Sequence, residues 1–329
     1  MDYVQRRHFL IAAVALLAAP LAAKAQQPAK IARIGFLGAG SAYRLATYIE
    51  AFRQGLHEAG YIEGKNILIE YRWAEDRYER LPDLAAQLVQ MKVDVIVTEG
   101  TNSTQAAKNA TKTIPIVIAL ASDPVGSGLV HSLGRPGANV TGVTTLSFEL
   151  VGKQMQMLKE LVPGLARMAL LWDPLNTPLL RALKGIEADA RSLGLELQLT
   201  EARAASELDK AFSELARKRP GALTVLSSLM FDGQQKRIAD FAAQNRLPAV
   251  YTKTPFAEAG GLISYGADFP ALFKHASVYV DKILKGANPS DLPVEQPAKF
   301  ELVINLKAAR ALGLTIPQSV LLRADRVIQ

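Results

Sequence analysis

Short apolar runs rich in β-branched residues alternate with amphipathic stretches along most of the chain. Ile31 to Leu37 (IARIGFL) predicts a strand, and Tyr43 to Ala59 a helix stopped by Gly60. Ile67 to Trp73 predicts a second strand, Arg80 to Met91 a second helix, Val93 to Thr98 a third strand and Thr104 to Thr111 a short helix. Ile114 to Ala121 and Val140 to Thr144 follow as strands four and five. The pattern then restarts. Helices are predicted over Leu150 to Leu161, Leu179 to Leu193, Ser206 to Lys218 and Ala271 to Leu284. Between them lie strands at Met168 to Trp172, Leu195 to Thr200, Ala222 to Leu226, Ala249 to Thr252 and Leu262 to Tyr265. Ser206 with Asp209 three residues on approximates a capping box. Alternation on this scale implies βαβ units with parallel pairing. The fold class is α/β, two doubly wound, mostly parallel sheets, with the boundary near Thr144 to Glu149 or at Pro163-Gly164.

The first 25 residues break the pattern. Arg6 and Arg7 precede an almost wholly apolar run from Phe9 to Ala23, and Ala23-Lys24-Ala25 offers small residues at both positions a signal peptidase reads. This is the pattern of a cleavable secretory signal over residues 1–25. The alternative, a permanent anchor, meets a run shorter than the about 20 residues that span a bilayer, interrupted by Pro20. Arg6-Arg7-His8-Phe9-Leu10 is similar to the core of a twin-arginine export signal but departs from it at Gln5 and Ile11, so general secretion fits equally well. The chain has no cysteine, hence no lipid-attachment site and no disulfide. The expected location is a bacterial periplasm, as a soluble chain.

An apolar fraction of 49% and a charged fraction of 21% allow ordinary buried cores. The net charge of +7 is scattered, and its one run, Arg217-Lys218-Arg219, closes a predicted helix where cations complement the dipole. That distribution gives no nucleic-acid footprint. After the leader, no apolar stretch approaches membrane-spanning length.

Ligands of open α/β sheets bind beyond the carboxyl ends of the strands. Those ends carry Gly38 to Tyr43, Glu99 to Thr104, Ser122-Asp123-Pro124, Asp173 to Thr177, Ser227 to Asp232, Tyr251 to Thr254 and Tyr265 to Asp268. Small hydroxyls, aspartates and aromatics thus converge on one rim of each sheet. Singly, each has a structural explanation. Ser41, Thr101, Ser103 and Thr104 suit helix N-caps, Asp123 before Pro124 suits a turn, and Tyr251, Phe256 and Tyr265 suit core filling.

Enzyme signatures are weak. Gly38-Ala39-Gly40 starts a dinucleotide fingerprint, but Tyr43 stands where its third glycine is needed. There is no Walker loop and no GxSxG elbow, and His57, His131 and His275 lack metal-ligand spacing. No cofactor and no metal are expected, and no nucleophile is paired with a base.

Several segments carry a family resemblance: Ser122-Asp123-Pro124-Val125, Pro136 to Val143 (PGANVTGV), Gly260 to Gly266 (GGLISYG), Leu292 to Pro297 (LPVEQP) with Phe300 to Asn305 (FELVIN), and Ala311 to Pro317 (ALGLTIP). Together they are similar to the tryptophan/tyrosine-type substrate-binding proteins of ABC importers, which have the type 1 periplasmic binding fold. The resemblance implies two lobes joined by several chain crossings, with an interlobe cleft and a hinge. One lobe would take residues 26–145 plus about 271–290, the other 146–270 plus about 291–329. It also implies a membrane permease as partner, and a monomer is expected.

The expected ligand is a small carboxylated or zwitterionic solute, with an aromatic amino acid first. Its carboxylate would accept from Thr101, Asn102, Ser103 and Thr104 and nearby backbone N–H groups. Asp123, with Asp268, would face an ammonium group; Phe231, Tyr251 and Tyr265 would enclose a ring; Ser41 and Asn176 would add hydrogen bonds. Two rivals stand beside this reading: a receptor reporting to a membrane sensor, and a secreted α/β enzyme.

Overall fold

The computed structural model describes residues 31–329, so the leader read at residues 1–25 lies outside the described residues. Five strands form the first sheet in the order β2-β1-β3-β4-β5. They are β1 (Ala32–Gly38), β2 (Ile67–Trp73), β3 (Val95–Glu99), β4 (Ile116–Leu120) and β5 (Val140–Gly142), all paired in parallel. Parallel strands have helices on both faces, so they read as unbroken apolar runs; Val95 to Val97 and Ile116 to Ala119 are fully buried.

One face of this sheet packs Phe36, Val95 and Val97 against the helices Ala42–Glu58 and Phe269–Leu284, through Phe52, Phe273 and Tyr279. The other packs Ile96, Ile116 and Ile118 against the helices Leu81–Gln90 and Thr101–Ala110. Gly38 ends β1 because a Cβ there would lie 2.4 Å from the Trp73 ring, which covers that strand end.

The second sheet has seven strands in the order β12-β11-β10-β9-β8-β6-β7. These are β6 (Arg167–Trp172), β7 (Glu196–Glu201), β8 (Ala222–Val225), β9 (Ala249–Tyr251), β10 (Ile263–Ala267), β11 (Phe300–Asn305) and β12 (Arg326–Ile328). Only the β10–β11 pairing is antiparallel. Its two cores lie under the helices Val151–Leu161 and Thr177–Ser192 on one face, and Leu208–Lys218 and Gln235–Gln244 on the other. Pro163-Gly164 is a loop inside this second half, since Leu161 and Leu165 share one core.

The chain runs from the first sheet to the second after β5, comes back with the helix Phe269–Leu284, and crosses again before β11. Two of these crossings are stitched together. The Thr144 N–H donates to the Glu295 carbonyl at 2.9 Å, and the Glu295 N–H to the Gly142 carbonyl at 2.9 Å.

Candidate ligand-binding site

Each sheet has one place where neighbouring strands send their connections in opposite directions: between β1 and β3 in the first, and between β6 and β8 in the second. Ligand crevices of open α/β sheets lie outside the carboxyl ends of such strands. Here the two crevices meet. Ala39, Glu99, Thr101 and Asn102 from the first half, with Asn176, Ser227 and Ser228 from the second, line one pocket of about 60 Å³. Beside it opens a cleft of about 1170 Å³, bordered by Tyr43, Tyr48, Asp232, Asp268 and Phe269. Lys253 borders both spaces.

The helix Thr101–Ala110 starts three residues earlier than its sequence pattern suggests, because Gly100 at φ 91° supplies a backbone state that L-residues avoid. The first helical turn is therefore Thr101 to Thr104. Its leading N–H groups have no intrahelical acceptor, and the helix dipole adds partial positive charge there. Thr101 and Asn102 offer this end to the small pocket. The Thr104 N–H is already taken by the Gly100 carbonyl at 3.1 Å.

Charge is concentrated around it. Glu99, the last residue of β3, is 1% exposed, and its Oε2 accepts from the Ala39 N–H at 3.1 Å. Burial pushes its carboxyl up to about 7, against the opposing pull of Lys253 and of the Ala39 and Gly40 N–H groups. The Lys253 side chain is 4% exposed and ion-paired with Asp232. Burial alone would lower its pKa, but Asp232, Tyr48 and Glu99 together hold it above the usual lysine value. The Lys253 ammonium also stands 4.5 Å from the centre of the Phe269 ring. Asp173, at the end of β6, is raised by burial, although the Ser228 hydroxyl donates to it at 2.8 Å and the Leu175 N–H at 2.9 Å. Tyr78 is raised strongly, by burial first and then by Asp173 and Glu99. The arrangement can hold a solute that carries an anionic and a cationic end. Among the described residues, no cluster of His, Cys, Asp or Glu is placed to hold a metal ion.

The residues chosen from sequence divide into two groups. Thr101, Asn102 and Asn176 line the small pocket, where Asn176 Nδ2 donates to the Ser227 carbonyl at 3.2 Å. Ser41 and Asp268 border the wide cleft, each as a helix N-cap: Ser41 accepts from the Arg44 N–H at 3.4 Å, Asp268 from the Ala271 N–H at 3.0 Å.

The others are elsewhere. Ser103 and Thr104 are fully buried, and the Thr104 hydroxyl is spent on Thr98 and the Gly100 carbonyl. Asp123 folds back on its own turn, accepting from the Gly126 N–H at 2.7 Å, so its carboxylate serves the loop. Phe231 and Tyr251 are fully buried in the second half's core, with Tyr251 stacked on Phe256 at 4.9 Å. Tyr265 is half-buried, packed against that half's core and 6.1 Å from the Phe300 ring. The rings that border the cleft are Tyr43, which is 90% exposed, Tyr48 and Phe269.

As a helix cap, Asp268 has a checkable stability effect. Asp268→Ala is expected to cost about 1 kcal/mol, the usual value of a lost N-cap. A denaturant titration measures it, and no change would mean that the Ala271 N–H is satisfied without it.

The geometry is that of the type 1 periplasmic binding proteins: two α/β lobes meeting at their switch points. The likeness of fold extends to a leucine-binding protein from Thermotoga maritima only 13% identical, with a TM-score of 0.62 over 79% of this chain. Nearer matches define the family. The family model described as ABC transporter substrate binding protein matches residues 40–328. The crystal structure of an ABC domain from Streptococcus pneumonia in complex with L-Trp is 28% identical, with a TM-score of 0.83 over 90% of this chain and 99% of that one. A curated relative, "Tyrosine-binding protein" of Clostridioides difficile, is 28% identical over 80% of this chain and 76% of its own length. This chain belongs to the ABC transporter substrate-binding proteins. These are solute-binding proteins, not enzymes.

Proposed function

We propose that this protein is the extracytoplasmic solute-binding component of an ABC importer. It holds a zwitterionic solute, an aromatic amino acid first, in the cleft and delivers it to a membrane permease. The observation that carries the reading is the shared pocket. The free N–H end of the helix Thr101–Ala110 stands beside the Glu99 carboxylate in one half, facing Asn176, Ser227 and Ser228 of the other. A ligand carboxylate accepts at the helix end, as anions do. The ring extends toward Tyr43, Tyr48 and Phe269, flat surfaces that add contact area at low entropy cost. The L-Trp complex and the tyrosine-binding relative support the same ligand class.

In this reading the lobes are residues 26–145 plus about 271–290, and 146–270 plus about 291–329. Closure is a hinge motion at the crossings near Thr144 and Glu295, driven by a ligand that touches both lobes. The leader over residues 1–25 directs export to the periplasm, where the chain works as a monomer.

A thermal-shift screen of the purified protein against L-tryptophan, L-tyrosine, their deaminated acids and small amines tests the proposal. A native-state ligand adds about 2.7 kcal/mol of stability at a hundredfold excess over its dissociation constant. Aromatic amino acids are expected to raise the melting temperature. A screen in which neither amino acids nor aromatic acids move it would overturn the ligand assignment.

A further inference from the structure

Besides Glu99, six acidic side chains border the cleft, Glu75, Asp76, Asp232, Glu258, Asp268 and Glu301, with Asp173 nearby; Glu75 is exposed, Glu258 is ion-paired with Arg326 and Glu301 accepts from the Thr254 hydroxyl. Asp232 is ion-paired with Lys253, Asp268 caps a helix, Asp76 is ion-paired with Arg44, and Asp173 accepts from a hydroxyl and an N–H. Glu99 differs. Its hydrogen-bond partners are backbone N–H groups of a single turn, Ala39 and Gly40, and among the described residues no cation lies within ion-pair distance of it. It is nonetheless buried and lines the small pocket. A buried carboxylate whose neighbouring cation, Lys253, is already paired with Asp232 is costly unless a further charged partner arrives.

We propose that Glu99 receives the ammonium group of the ligand and sets the preference for amines over plain carboxylic acids. The inference rests on the amino-acid reading above and adds to it the residue that discriminates. The spacing favours it. Glu99, Gly100, Thr101 and Asn102 are consecutive, so one turn of chain offers a carboxylate and then the open N–H end of a helix. An α-amino acid carries its two charges on adjacent carbons and needs acceptor and donors side by side. A strand that ends in glutamate and turns through glycine into a helix supplies both within a few ångströms.

A proton accompanies the exchange. In weak acid Glu99 is protonated, and when the ammonium docks, that proton leaves to solvent while the carboxylate accepts from the ligand. The charged and titratable groups facing Glu99 are Lys253 beyond β9, Asp232 of the helix Leu229–Asp232, Tyr48 of the helix Ala42–Glu58, and Tyr78, with Asp173 behind it. Lys253, Tyr48 and Tyr78 are all held above their ordinary values, so their charges do not change between pH 5 and 8. Asp173 is also raised, by burial first.

The test is calorimetric titration of the wild type and Glu99→Gln with L-tryptophan, L-tyrosine and indole-3-propionate between pH 5 and 8. Wild-type affinity for the amino acids is expected to be about a hundredfold weaker at pH 5 than at pH 8, roughly tenfold per pH unit below the titration point. Glu99→Gln is expected to lose most amino-acid affinity at pH 8 and most of the pH dependence, while binding of indole-3-propionate stays within a few-fold of wild type. Should the variant fail to fold, wild-type titrations at pH 6 in two buffers of different ionisation enthalpy give the answer, with about one proton released per amino acid and none for the acid. A variant that binds amino acids like the wild type, with the same pH profile, overturns the assignment of Glu99 and leaves the amino-acid reading intact. A wild type that binds none of the three probes overturns both.

Discussion

Lys253→Met is expected to lower the stability of the protein by about 3–5 kcal/mol at pH 8, the usual cost of removing one partner from a buried ion pair. Methionine keeps the length of the stem, so the loss isolates the charge. Without the ammonium, Asp232 is left at 13% side-chain exposure without its ion-pair partner. The contact 4.5 Å over the Phe269 ring disappears as well, and with it an attraction between the segment after β9 and the helix Phe269–Leu284. In a chain of this size the change corresponds to a drop on the order of 10 °C in Tm. Lys253→Met combined with Asp232→Asn is expected to recover more than half of it, because the uncompensated charge, and not the missing stem, carries the cost. Urea unfolding of the two single variants and the double variant measures this. A loss under about 1 kcal/mol for Lys253→Met would mean that water reaches the pair and screens it.

How legible was this site in the sequence? The strands were, since β3 and β4 are buried on both faces and read as apolar runs that no helix period explains. Helices with strong flanking signals were legible too, as Ser41 and Gly60 bracket the helix Ala42–Glu58. The helix Gln235–Gln244 was not. Ile238, Phe241 and Ala242 have helical spacing, but its N-cap, Gln234, makes no side-chain bond that would mark the start. The same absence hid the true start of Thr101–Ala110, where a glycine conformation does the work of a capping side chain.

The rim was legible and its occupants were not. Tyr251 stands at a strand end, as a ligand-facing aromatic would, but its neighbours Val225 and Ser264 lie on both sides of it in the sheet, and its ring turns onto Phe256 in the core. Lys253 looks like any surface lysine between two threonines; Asp232 meets it only through the fold. Glu99 did leave a signal: an acidic residue closing an otherwise apolar strand directly before glycine. The Ala39 and Gly40 N–H groups it accepts from could be served by a neutral acceptor, and sites that keep a costly charge are where binding is expected.

The second large effect follows from that cost. Glu99→Gln is expected to stabilise the ligand-free protein at pH 8 by roughly 3 kcal/mol and to change it little near pH 5. The folded-state carboxyl is raised from an ordinary 4.5 to about 7, so the protonated form suits the fold. Its contribution to stability is complete below 4.5 and is lost as pH rises through 7. The full loss is of order 3 kcal/mol, at 1.36 kcal/mol per pKa unit, and the attraction to Lys253 is already contained in it, since it lowers the same carboxyl against burial. Tm measured from pH 5 to 8 should therefore show the variant's advantage growing with pH, and saturating L-tryptophan should stabilise the wild type most where that advantage is largest. A variant less stable than the wild type at pH 8 would mean that the anion is a net stabiliser of the empty cleft through Lys253. In that case the charge would be explained by the ion cluster alone, with no need of a ligand. If the advantage appears as expected, the empty protein carries a buried charge that destabilises it, and stability has been exchanged for recognition at the strand end where the ligand's ammonium docks.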